Sequence, residues 1–188
     1  MDISPVMQAY ILHWGEMGTR WGVNRTVAQI HALLYLVGRP LPADEIAATL
    51  KVARSNVSTS IRELQAQKLI NRTHVLGDRR DHFEAETDLW TMMARILDER
   101  KKREIDPTLT MLRKCLLDAR NDPVVDEEIV GRIKTMHDFL ESADDWYDDV
   151  RDLPRSTLET LMKMGGKVAR LTTHSKKSKK KKTRLERI

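Results

Sequence analysis

Apolar positions in this chain recur mostly at helical spacing, and Gly, Pro and short polar clusters break the pattern into segments. Ser4-Pro5 is a helix-start signal, and Val6, Tyr10, Trp14 and Met17 form one stripe that ends near Gly18. After "WGVN", Asn24 can cap a second helix with Val27, Ile30, Leu34 and Val37 inward and Gly38 as its stop. "RPLP" leads into "ADEIAATL", about two turns with Ile46, Ala47 and Leu50 inward. Almost at once "ARSNVSTSIREL" begins, with Val57, Ile61 and Leu64 at i, i+4, i+7. Two short helices joined by so tight a turn form a helix-turn-helix pattern. The period then changes: "LINRTHV" and "HFEAET" are β-type runs flanking the turn formers of "LGDRRD", and together predict a two-stranded hairpin. A helix-turn-helix followed by a hairpin is a winged helix. The fold class expected is mainly α with a small β-hairpin wing, a winged helix-turn-helix flanked by N- and C-terminal helices.

The polar face of the second motif helix is unusual. Arg54, Ser55, Asn56, Ser58 and Thr59 occupy it, although Ser, Asn and Thr compete with the backbone and weaken a helix. These side chains can bond base edges and phosphates in a major groove, which explains the sacrifice of helix propensity. Arg62 extends the face toward phosphate, and Arg79 and Arg80 at the hairpin tip can reach phosphate or the adjacent minor groove. Charge agrees with that reading. The net charge of +5 is unevenly spread: residues 51–103 hold twelve Lys/Arg against eight Asp/Glu, residues 121–149 hold two against ten, and residues 167–188 hold ten against one. One region can face a polyanion, and another would repel it.

"PLPADEIAATLKVARSNVSTSIRELQAQKLI" followed by "VLGDRRDHFEAETDLW" resembles the MarR-type winged-helix transcription regulators, most closely the GbsR subgroup, over roughly residues 15–120. The resemblance implies a homodimer built by the terminal helices, a recognition helix in each of two major-groove half-sites, and an Asp-x-Arg wing. In this sequence Asp78 and Arg80 match that motif, with Asp78 expected to orient the arginine. It also implies a repressor released by a small molecule, and the subgroup's association with choline and glycine-betaine genes makes a quaternary ammonium compound a candidate effector. The chain departs from the pattern at four positions. Pro42 and Ala53 stand where Ser or Thr caps are expected, at about 1 kcal/mol per lost cap. Lys51 and Lys68 stand where Gly would ease a left-handed turn, costing about 1 kcal/mol each if φ is positive, and both could contact phosphate.

Beyond the hairpin, "DLWTMMARIL" offers Leu89, Met92, Met93, Ile96 and Leu97 as a broad apolar face, and Pro107 restarts a helix carrying Leu109, Leu112 and Leu116. After "NDP", the residues Ile129, Ile133, Met136, Leu140, Ala143 and Tyr147 are spaced as an a/d seam, which suits either a dimer seam or a packed antiparallel helix. A further helix is expected from Ser156, with Glu159 completing a capping box. These elements divide the chain into an N-terminal helix making dimer contacts (1–22), a winged helix-turn-helix (23–105), a C-terminal helical dimerisation region (106–170) and a disordered basic tail (171–188). That tail reads equally as a solubilising extension or as a DNA-tethering arm.

Other chemistry is sparse. Cys115 is the one cysteine, which excludes an internal disulfide and any multi-thiolate metal site. The six histidines are singletons, and His74 and His82 read as solvated wing residues near phosphate. No cofactor or metal is expected, and no acid–base pair, nucleophile constellation or phosphate loop suggests an enzyme. Trp14, Trp21 and Trp90 are the candidates for an effector pocket that boxes a cation against aromatic faces. No eighteen-residue apolar run exists and the first residues lack a signal-peptide pattern, so a cytoplasmic, nucleoid-associated bacterial protein is expected, with no membrane partner. The expected function is sequence-specific recognition of an inverted-repeat operator in double-stranded DNA by a homodimeric regulator. The competing reading is a sequence-independent nucleoid protein driven by the lysine-rich tail.

Overall fold

The computed structural model describes residues 1–165, so the tail assigned to 171–188 lies outside the described residues. The chain forms two compact units, one of Met1–Pro107 and one beginning at Thr108.

In the first unit, α1 (Pro5–Arg20) starts where Ser4 Oγ accepts the Met7 N–H at 3.3 Å, and α2 (Arg25–Val37) starts where Asn24 Oδ1 accepts the Thr26 N–H at 2.8 Å. Gly38, at φ 62°, ends α2 in the left-handed conformation that a residue without Cβ adopts freely. The buried stripe of α1 differs from the one expected. Val6 is 79% exposed, and the face turned inward is Ile11, Gly15 and Gly18. The helix ends near Gly18 as expected, running two residues past it to Arg20, and the missing side chain of Gly18 lets α1 press against Ala28 of α2. Apolar size alone pointed to Tyr10 and Trp14, which are half-buried, and concealed the glycine seam.

The centre of this unit is α2, with Val27, Ile30, Leu33 and Leu34 almost wholly enclosed. Around it sit α3 (Ala43–Leu50), α4 (Arg54–Ala66) and α5 (Leu89–Arg100). A small sheet completes the core: β1 (Leu41–Pro42), β2 (Ile70–Thr73) and β3 (His82–Ala85), in the order β1-β3-β2 and antiparallel throughout. The expected hairpin is there, with Ile70 opposite Ala85 and Thr73 opposite His82. The third strand, which pairs Leu41 with Phe83, was not expected, since two residues ending in Pro carry no periodic signal.

Of the apolar face foreseen on α5, Met92 is buried and Ile96 packs on the core, while Leu89, Met93 and Leu97 are exposed. Pro107 does not restart a helix. Helical backbone continues from α5 through a π turn at Lys101–Ile105 into α6 (Asp106–Asp118), the Asp106 N–H donating to the Lys101 carbonyl five residues back. Proline lacks an N–H and its ring would strike the carbonyl of Arg103, so widening one turn accommodates it.

In the second unit, α7 (Glu127–Arg151) is capped by Asp126, whose Oδ1 accepts the Ile129 N–H at 2.8 Å. Its expected seam is split: Ile133, Leu140 and Tyr147 are half-buried, whereas Ile129, Met136 and Ala143 face outward. The most buried residue on α7 is His137, 8% exposed, so the inner stripe is rotated toward a polar side chain that an apolar count overlooks. Helical backbone resumes at 155, one residue before the expected Ser156, and Glu159 pairs with Arg155 at 2.9 Å instead of closing a capping box.

Candidate nucleic-acid interface

The turn between α3 and α4 is three residues long, and Lys51 within it adopts φ 55° while its amide and that of Val52 both donate to the Ala47 carbonyl. Neither helix has a side-chain cap: Pro42 and Ala53 occupy the two N-cap positions without a capping bond. Burial compensates for the weak ends. Val57, Ile61 and Leu64 of α4 are buried against the core together with Ser60. The other side of α4 exposes Arg54, Ser55, Asn56, Ser58, Thr59 and Arg62. Arg62 Nε donates weakly to the Ser58 carbonyl at 3.4 Å; the side chains of Arg54, Ser55, Asn56 and Thr59 make no hydrogen bond or ion pair among the described residues. At the far end of α4, Lys68 adopts φ 57° and its carbonyl accepts from Arg95 of α5, which also pairs with Glu86 at 3.0 Å. The helix is thus fastened at its C-terminal end by α5.

The wing is braced from inside. Asp78 accepts from the Arg80 backbone N–H at 3.0 Å and from Arg80 Nη2 at 2.6 Å, while Arg80 Nη1 donates to Asp44 of α3 at 2.8 Å. These bonds from Arg80 hold the Asp78 carboxyl well below the usual carboxylate range, and Asp78 and then Asp44 keep the guanidinium charged. The two wing arginines therefore differ. Arg80 is committed to two carboxylates, whereas Arg79 is exposed and makes no ion pair among the described residues. His82 is also unlike the solvated residue expected. It is buried, with Nδ1 2.9 Å from the Arg80 carbonyl and Nε2 3.4 Å from Asp78, because β3 lies centrally in the sheet; His74 is exposed. Asp44 and Arg95, which set the pose of wing and helix, carried no local sequence signal.

Residues 21–81, which span α2, α3, α4 and the turn of the wing, match the MarR family. The winged helix of this chain is similar to those of the MarR family. It is 24% identical to the HTH-type transcriptional repressor GbsR of Bacillus subtilis (strain 168) over 139 residues, 72% of this chain and 77% of that protein. A crystal structure of a transcriptional regulator shares the fold at TM-score 0.56 and 19% identity, over 78% of this chain and 96% of that one.

Behind the helix-turn-helix lies a cavity of about 90 Å3 between α1, α2, α4 and α5. Trp14 and Trp21 line it, their rings edge-to-face with centroids 6.4 Å apart. Trp90 does not line it: it stands six residues before Ile96, which does, and so is about 9 Å along α5 and on another face. Tyr10 stacks on Trp14 at 5.6 Å, which occupies one face of that ring. A three-tryptophan box is therefore not formed. Gln67, Glu99, Arg100 and Arg103 also border it, but the buried polar side chain of its lining is His31, 5% exposed, whose Nε2 has no hydrogen-bond partner among the described residues. Burial lowers its pKa to about 4, so the ring is neutral near pH 7. Arg100 of α5 donates to the Trp21 carbonyl at 3.0 Å beside this space.

Proposed function

We propose that this protein is a DNA-binding transcriptional regulator that reads an inverted-repeat operator as a homodimer and acts as a repressor. The observation that carries the reading is the two-sidedness of α4, whose apolar side is sealed in the core while Arg54, Ser55, Asn56 and Thr59 stand exposed beside a braced wing. Short polar side chains at the start of an exposed helix suit base edges, and Arg62, Arg79, Lys51 and Lys68 surround them with charge for phosphates. Two-fold symmetry then sets two half-sites about one helical turn apart.

The effector site is the cavity lined by Trp14, Trp21 and His31. A small, largely apolar molecule with one group able to bond the His31 Nε2 would satisfy a buried polar atom that otherwise has no partner. Because α1, α2, α4 and α5 all border that space, filling it shifts the helix that carries the readout face and lowers affinity for the operator.

The test is selection of duplexes from a random-sequence pool near physiological salt, using the full chain, a version ending at Leu171, and Arg54→Ala and Asn56→Ala variants. The expected result is one inverted repeat enriched by both lengths and by neither variant. No enrichment, with binding lost when the tail is removed, would refute the regulator reading and leave a sequence-blind, lysine-driven attachment.

A further inference from the structure

The turn of the wing is built from Val75, Leu76, Gly77 and Asp78, with the Asp78 N–H donating to the Val75 carbonyl at 3.0 Å. Gly77, third in the turn, has φ 84°, as a type II turn requires. Nothing in that geometry asks for a large apolar residue in second place, yet Leu76 stands there at 104% exposure, the highest of the large apolar residues described. Its surroundings are polar and partly basic: His74 and Arg79 are both exposed, and Arg72 is paired with Asp81 across the base of the tip at 3.3 Å. The tip is not free to fold back, since Arg80 ties it to Asp78 and, at 2.8 Å, to Asp44 of α3. That same tie engages Arg80 with two carboxylates, while Leu76 and Arg79 stand exposed and Arg79 makes no ion pair among the described residues.

We infer that Leu76 is an apolar wedge that enters the minor groove beside each half-site. The inference rests on the reading of the winged helix as a DNA interface. Arg79 is the tip's cation outside an ion pair among the described residues, and the tip belongs to the wing of the proposed DNA interface, so the partner is the same duplex; its minor groove offers what a leucine can use: walls of deoxyribose C–H groups and base steps that an inserted side chain can part. Arg79 reaches the flanking phosphates and supplies the salt-dependent share of the contact, whereas Leu76 supplies a share that salt does not touch. The exocyclic amino group of guanine protrudes into that groove, so the wedge selects A·T pairs at positions the recognition helix does not contact.

The experiment measures Kd of the full chain for the selected operator across a salt series, with Leu76→Ala, Arg79→Ala and Arg54→Ala. It uses two duplexes, natural or with inosine replacing guanine beside the half-sites. The expected result for Leu76→Ala is affinity about five- to tenfold weaker, an unchanged salt slope and an unchanged melting temperature, since the side chain buries nothing in the folded protein. Arg79→Ala instead flattens the salt slope by about one. Inosine tightens binding of the parent chain and leaves Leu76→Ala unaffected. If Leu76→Ala matches the parent on both duplexes while Arg54→Ala loses the operator, the wedge is overturned and the helix reading stands. If Arg54→Ala also matches the parent, the reading beneath it falls. Loss of self-association with DNA affinity intact would assign Leu76 to a second copy of the chain, and overturns the wedge as well.

Discussion

Gly18→Ala tests whether the contact of α1 with α2 is set by glycine. A Cβ built on Gly18 would lie 2.5 Å from the Ala28 Cβ, whereas carbon atoms in contact sit about 3.5–4.0 Å apart, so the helices must part by about 1 Å. A Cβ is the part of a side chain that no rotamer change can move. Overpacking of this kind costs about 1–3 kcal/mol, against a helix-propensity gain of at most about 1 kcal/mol that is smaller in a last turn. The expected net loss is about 1–2 kcal/mol, which is about 4–8 °C in melting temperature for a unit of this size. Gly15→Ala is the internal comparison. Its Cβ would meet Gln29 Cγ at 2.7 Å, but Gln29 can swing aside, so the loss should be under about 1 kcal/mol. Denaturant unfolding of Gly18→Ala, Ala28→Gly and the double variant closes a cycle. Ala28→Gly alone should cost about 1 kcal/mol, but in the Gly18→Ala background it removes the clash, giving a coupling of at least about 1 kcal/mol. Additivity within about 0.3 kcal/mol, or a rise in melting temperature for Gly18→Ala, would refute the reasoning.

Three further outcomes are expected. Lys51→Gly removes a side chain from φ 55° and should stabilise the fold by about 1 kcal/mol while flattening the salt slope of DNA binding by about one, so thermal melting rises as affinity falls; a change of the same sign in both would contradict the assignment. Asp78→Ala adds a unit of positive charge yet should weaken operator binding severalfold, because Arg80 loses its brace; tighter binding would mean that net charge, not wing geometry, governs affinity. His31 has a folded-state pKa near 4 against about 6.5 in the unfolded chain, so below pH 6.5 the unfolded state binds the proton and the folded state does not. Stability is therefore full above pH 6.5 and falls, by up to about 3 kcal/mol, as pH drops toward 4; His31→Leu should flatten that part of the profile, and an identical profile would exclude His31 as its source.

What could be read from the sequence is what depends on local rules. Asn24 and Gly38 bound α2 because a cap and a left-handed stop act within a few residues, and the i, i+4, i+7 spacing of Val57, Ile61 and Leu64 fixed the inner side of α4. The turns at Lys51 and Lys68 were legible through the resemblance, which expects a glycine at each position, and both lysines adopt positive φ. Illegible were features in which one segment answers to a distant one. Gly18 reads only as a nearby stop until Ala28 is seen against it, Arg80 reads as held by Asp78 alone until Asp44 arrives from α3, and Trp90 reads like Trp14 until the rotation of α5 separates them. Pro107 misleads for the opposite reason. It obeys its local rule, but the helix absorbs the fault in one wider turn.

These distant contacts have a mechanical consequence for the readout surface. Without side-chain caps at Pro42 and Ala53, and with lysines in left-handed conformations at 51 and 68, the helix-turn-helix has little local stability of its own. It holds its shape through the burial of Ile46, Val57, Ile61 and Leu64 and through Arg95, which bonds the Lys68 carbonyl from α5. A motif held by its packing and not by its ends must follow the elements it packs on. Leu64 itself borders the cavity that holds the unpartnered His31 Nε2, so a molecule in that space presses directly on the inner side of the helix whose outer side carries Arg54 and Asn56. The missing caps therefore couple α4 to the cavity: Ala53→Ser, which restores a local bond at the start of α4, should stabilise the helix by about 1 kcal/mol and, by loosening that dependence, shrink the response of operator affinity to any molecule bound there.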